Sequence, residues 1–193
     1  MSFPRRTIAL ISALILCGLI VAPTASASQA PESLTIPGGP ATATDATRVD
    51  LDADLYLPEQ TPAPAVVLAH GFGGDKSGSA GQATKLAEAG FVVLTYSARG
   101  FGESTGLISM NSPDFEVADA SALIDFLADR TEVTQDAEGD PRVGFAGGSY
   151  GGALALLVAG YDNRVDALAS DITWNNLETS LFGQSIDGST QLG

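Results

Sequence analysis

The segment Gly147-Gly148-Ser149-Tyr150-Gly151 restricts the possible folds of this chain more than any other stretch. The pattern G-x-S-x-G is weak by itself, because 22 glycines make chance matches common. Its flanks give it meaning. Arg142-Val143-Gly144-Phe145-Ala146 before it reads as a buried strand, and Ala153 to Ala159 after it as a helix. A serine at such a junction lies in a sharp turn with strained backbone angles, which lifts its Oγ above the sheet. Small residues two positions to either side let neighbouring backbone pass. Ser149 is therefore the candidate nucleophile. The amide of Tyr150, at the helix N-terminus, is a candidate oxyanion donor.

The rest of the chain supplies the context such a turn needs. Val49, Leu51, Ala53, Leu55 and Leu57 alternate with polar residues and predict a half-buried strand. Ala65 to Ala69 and Phe91 to Tyr96 are continuous apolar runs, which suit parallel strands covered on both faces. A helix is predicted between them over Ala80 to Ala89, closed by Gly90. Ser112-Pro113-Asp114 opens a second helix, which Val117, Ala120, Leu123, Ile124 and Leu127 continue at helical spacing. Val165 to Ser170 is a weaker fourth strand of the parallel set. The expected fold class is α/β: a mostly parallel sheet with helices on both faces. After Trp174 the pattern dissolves, and the chain reads as interrupted after the strand that follows the nucleophile helix.

The ends differ in kind from this pattern. Arg5-Arg6, an apolar run from Ile8 to Ala22 and Ala25-Ser26-Ala27 have the anatomy of a secretory signal, with cleavage expected after Ala27. The run falls short of the ~20 apolar residues that a spanning helix needs, so no stable membrane insertion is expected after cleavage. Leu16 before Cys17 argues against lipoprotein attachment, and Pro4 before the arginine pair favours general over twin-arginine export. Cys17, the only cysteine, leaves with the signal, which excludes disulfides, zinc–thiolate sites and a cysteine nucleophile in the mature protein. The formal charge of −14 repels nucleic acid, so none is expected as a partner. Ser28 to Thr47, rich in Ala, Thr, Pro and Gly, reads as a flexible leader.

Two further loops carry glycines where ligands bind in such sheets. His70-Gly71-Phe72-Gly73-Gly74 follows the first buried strand, where the second oxyanion amide belongs; the amide of Phe72 is the candidate. His70 is the only histidine, and in the Ser–acid–His order of this architecture an upstream histidine has the wrong position for the base. A structural role bracing the loop is expected of it. Arg99 to Gly106 follows the second buried strand, and Arg99 is expected to make structural ion pairs or hydrogen bonds there. A P-loop ending at Lys76-Ser77 would need glycine where His70 and Asp75 stand. A dinucleotide fingerprint from Gly100 would need glycine or alanine at Thr105. No cofactor or metal is expected.

With these motifs placed, the chain resembles the X-Pro dipeptidyl-peptidase and cocaine-esterase-like branch of the α/β-hydrolases. The resemblance rests on His70-Gly71-Phe72-Gly73-Gly74, Tyr96 to Ser104, Gly147 to Gly152 and Asp171-Ile172-Thr173-Trp174-Asn175-Asn176-Leu177. It implies acylation of Ser149 by an ester or peptide carbonyl, and a cap domain inserted after this region. Many relatives carry Asp where Ser97 stands, which bears on how Arg99 is braced. The strands that carry the catalytic acid and histidine in the family have no counterpart here, and Asp171 lies on a strand too early to be the acid. The expected organisation is a signal over residues 1–27, a leader over 28–47, the N-terminal part of the hydrolase domain over 48–177 and the start of a cap or lid over 178–193. The expected function is a secreted serine hydrolase of small-molecule ester or peptide substrates, present here as an incomplete and by itself inactive fragment. A generic secreted esterase or lipase, and a non-catalytic binding protein on a degenerate scaffold, are the alternatives.

Overall fold

A computed structural model describes residues 30–186. The expected signal over residues 1–27, with its expected cleavage site after Ala27, and the last residues of the chain, 187–193, lie outside the described residues. The strands are β1 (Glu32–Pro40), β2 (Arg48–Tyr56), β3 (Ala65–Ala69), β4 (Val92–Tyr96), β5 (Gln135–Ala137), β6 (Asp140–Pro141), β7 (Val143–Gly148) and β8 (Val165–Asp171). All but β5 and β6 form one six-stranded sheet, the core, in the order β1-β2-β4-β3-β7-β8. β1 and β2 are antiparallel to their neighbours, whereas β4, β3, β7 and β8 pair in parallel. Each parallel step is crossed by one helix: α1 (Ala80–Glu88), α2 (Ala118–Ala128) and α3 (Tyr150–Tyr161).

Strand alternation divides the apolar residues between two layers. Leu68 and Val93 pack with Ala83 and Ala87 of α1 on one face. Val67, Leu94 and Phe145 pack with Leu123 and Leu127 of α2 and Leu154 and Val158 of α3 on the other. The expected α/β architecture with both faces of a parallel sheet covered is the one observed. Gly90, with φ of +97°, follows α1 in the left-handed conformation that closes a helix. β8 is the outer parallel strand, and Leu168 on it is 46% exposed.

Four features differ from the sequence expectation. Within the stretch Ser28 to Thr47, expected to be a flexible leader, lies β1, which pairs with β2 from Glu32↔Leu55 to Pro40↔Arg48. Its composition conceals it, because Gly38 and Gly39 are selected by close approach rather than by strand propensity. A Cβ on Gly39 would lie 2.9 Å from the Ala118 Cβ. The helix opened by Ser112 begins with a π-helical turn over Pro113–Val117, where the Ser112 hydroxyl accepts from the Asp114 amide (3.3 Å). Beyond Trp174, where no pattern was legible, Leu177–Ile186 form α4, begun by Asn176, whose side-chain oxygen accepts from the Thr179 amide (2.8 Å). A short hairpin, β5 (Gln135–Ala137) and β6 (Asp140–Pro141), was also not expected.

Candidate active site

The carboxyl ends of β3, β4 and β7 bring the three glycine-bearing loops together. At the end of β7, Ser149 has φ +52° and ψ −114°, a conformation that costs a non-glycine residue about 1–3 kcal/mol. The surroundings hold it there: its N–H donates to the Asp171 carbonyl (2.9 Å), and its carbonyl accepts from the Ala153 amide (3.0 Å). Its hydroxyl makes no capping bond to α3, so Oγ is not consumed by the helix it precedes. The flanking glycines follow from contact distances. A Cβ on Gly147 would lie 2.5 Å from the Gly151 carbonyl carbon, and one on Gly151 would lie 2.7 Å from the His70 oxygen.

The His70–Gly74 loop runs beside this turn, since a Cβ on Gly71 would meet the Ser149 Cβ at 3.9 Å. The Phe72 amide belongs to the next peptide along. The Phe72 ring stands edge-to-face with Phe101 (5.2 Å) and Tyr150 (5.6 Å), so the two proposed amides belong to residues whose rings are in contact. The Tyr150 amide opens α3, whose first N–H groups have no partner in a preceding turn.

His70 has a determined tautomer. Its Nε2 accepts from the Ala98 amide (2.9 Å), so the proton must reside on Nδ1, which donates to the Gly71 carbonyl (2.7 Å). Burial pushes its pKa down, against smaller opposing effects of the Gly71 carbonyl and Asp75. Nε2 thus ties the loop after β3 to the loop after β4, while Nδ1 braces its own loop, so both ring nitrogens are engaged.

Arg99 is also structural. Fully buried, it makes two 2.7 Å bonds to Asp119 and donates to the carbonyls of Pro40 (3.0 Å) and Phe115 (3.3 Å). Ser97 leaves Arg99 alone: its hydroxyl accepts from the Lys76 amide (3.2 Å). A cleft of about 690 Å³ opens on the α1 side, lined by His70, Phe72, Asp75, Gln82, Gly148 and Asp171 among others. It borders Gly148 rather than Ser149.

Sequence reasoning passed over Asn111, Glu116 and Asp119, all buried behind the turn. Asn111 donates to the Tyr150 carbonyl (2.9 Å), and Glu116 accepts from the Tyr150 hydroxyl (3.2 Å). A signal was present: Glu116 and Asp119 are three residues apart on the stripe defined by Val117, Ala120 and Leu123. Carboxylates on the inward face of a helix are rarely there without partners.

A parallel sheet with antiparallel leading strands, a left-handed serine between β7 and α3 and a glycine loop after β3 together define an α/β-hydrolase. The chain belongs to the X-Pro dipeptidyl-peptidase (S15) family, whose sequence profile matches residues 45–188. It is 35% identical over 132 residues to protein PA2218 of Pseudomonas aeruginosa, covering 66% of this chain and 34% of that one. It is 34% identical over 128 residues to YcjY of Escherichia coli K12, covering 63% and 40%. The crystal structure of PA2218 matches with a TM-score of 0.65 over 83% of this chain and 48% of that one, at 31% identity. XC6422 of Xanthomonas campestris, an α/β serine hydrolase without a lid, matches in fold with a TM-score of 0.55 at 21% identity, over 73% and 60%. The matched region thus spans less than two thirds of each of these proteins.

Proposed function

We propose that this chain carries the nucleophile and oxyanion-binding part of a secreted serine hydrolase that cleaves ester or peptide carbonyls through an acyl-enzyme. The observation that carries this is the left-handed Ser149 at the β7–α3 junction, uncapped at Oγ, with Gly147 and Gly151 at positions where any Cβ would run into backbone. Family membership supports hydrolysis, and X-Pro peptides or simple esters are the substrates that it suggests. Export rests on the signal-like first 27 residues.

In the first step, Ser149 Oγ bonds to the substrate carbonyl carbon while its proton passes to a general base. The carbonyl electron pair moves onto oxygen, where the Phe72 and Tyr150 amides receive it. Collapse expels the alcohol or amine, which takes up the proton, and water repeats the sequence to release the acid. His70 cannot act as this base with both nitrogens engaged. We place the base and its orienting acid outside this chain, in the length of the relatives that the match does not cover.

The test is labelling of the full-length protein that contains this chain with a fluorophosphonate, with the modified residue located by mass spectrometry. Turnover of p-nitrophenyl butyrate and Ala-Pro-p-nitroanilide is measured alongside. Modification at Ser149, with turnover lost in Ser149→Ala, is the expected result. Modification elsewhere, or undiminished turnover in that variant, overturns the proposal. The ratio of the two substrates separates esterase from peptidase.

A further inference from the structure

Tyr150 is held at more points than packing alone requires. Its carbonyl accepts from Asn111 Nδ2 (2.9 Å), its phenol oxygen accepts from the Asn111 amide (3.3 Å), and its hydroxyl donates to Glu116 Oε1 (3.2 Å). Glu116 also accepts from the amides of Ser109 (2.5 Å) and Ser112 (3.0 Å), so the intervening loop is wrapped around the carboxylate. Asn111, Glu116 and Tyr150 are 5%, 1% and 2% exposed.

This arrangement is costly. Met110 and Asn111 are consecutive non-glycine residues at φ +57° and +62°, each a strained conformation. Asn111 Oδ1 is buried without a hydrogen-bond partner among the described residues. An apolar contact beneath α3 would stabilise the fold without either cost.

The geometry relates the cost to the neighbouring serine. ψ of Ser149 sets the plane of the 149–150 peptide, and so the direction of the Tyr150 N–H. At −114° that torsion lies far from either common basin. A residue in this state relaxes unless the next residue is fixed, and Tyr150 is fixed at both its carbonyl and its ring.

We propose that Asn111 and Glu116 are positioning residues, which lock the Ser149–Tyr150 peptide so that the Tyr150 N–H faces the oxyanion. This rests on the acyl-transfer reading above, and adds to it two residues from a loop that does not carry the nucleophile.

The test compares Asn111→Ala, Asn111→Asp and Glu116→Gln with the parent in the full-length protein that contains this chain. Asn111→Asp preserves volume while removing the donor to the Tyr150 carbonyl, which separates positioning from packing. Losing an oxyanion donor outright lowers kcat about 10²–10³-fold, so misdirecting one should lower it on the order of 10-fold. KM should stay within about twofold, because the ground-state carbonyl depends little on this donor. The rate of fluorophosphonate modification at Ser149 should fall in parallel with kcat. Unchanged kcat and modification rate in folded variants, or a rise in KM alone, overturns the proposal. If Asn111→Ala does not fold, Tyr150→Phe supplies the same comparison, since it removes only the phenol anchor. Ser149→Ala separates the two claims. Modification that persists there refutes the serine reading, whereas loss there with full reactivity in the Asn111 variants refutes the positioning role alone.

Discussion

Asp119→Ala should be among the most damaging single substitutions in the described fold. Asp119 receives two 2.7 Å bonds from Arg99 and a third, at 2.6 Å, from the Gly39 amide. The side chains of Arg99 and Asp119 are 0% and 2% exposed, so water cannot replace what the substitution removes. Deleting one partner of a buried pair costs about 3–5 kcal/mol, chiefly because the other charge stays buried. The orphaned Gly39 amide adds roughly 1–3 kcal/mol. Whole domains are stable by only about 5–15 kcal/mol, so the variant should be close to unfolding. At about 2–4 °C per kcal/mol for a domain of this size, Tm should fall by roughly 10 °C or more. Urea titration followed by circular dichroism measures the loss. The pair Arg99→Met with Asp119→Leu should recover much of it, because removing both charges removes the desolvation penalty. A loss below about 1 kcal/mol in Asp119→Ala would show that the charge is not confined as described, and would refute the reasoning.

Two further outcomes are expected. Gly151→Ala should lose Ser149 reactivity towards fluorophosphonate, because the added methyl meets the carbonyls of Ala69 and His70 and must displace either the turn or the Phe72 loop; unchanged reactivity would contradict that close approach. His70 has a folded-state pKa held below its ordinary value by burial, so below about pH 6.5 the unfolded chain takes up more protons than the native one. The stability of the neutral ring is therefore complete above that pH and is lost as pH falls towards the folded pKa. Thermal melts from pH 7 to pH 5 should decline more steeply in the parent than in His70→Gln; equal slopes would count against it.

Several features were legible because they are local. The short apolar runs at Ala65–Ala69 and Val92–Tyr96 suit strands covered on both faces, and those strands lie at the centre of the sheet. The periodicity of Val117 to Leu127 marks the buried stripe of α2 without reference to anything distant. β1 was not legible, because Pro37, Gly38 and Gly39 have poor strand propensity and no apolar period. Its stability comes from pairing with β2 and from packing against α2, which no local window contains. Asn111 and Glu116 were missed for the same reason, since they are 39 and 34 residues from the tyrosine they hold.

The sequence by itself determined where the Ser149 turn lies. A strand, a serine between glycines and a helix form one continuous segment, and the steric demand for Gly147 and Gly151 is written at fixed offsets from Ser149. Only the tertiary structure decided how that turn is held. The left-handed serine costs free energy that its own segment cannot recover. The recovery comes from the Asp171 carbonyl, the Phe72 loop and the Asn111–Glu116 brace, which chain folding brings to one end of the sheet.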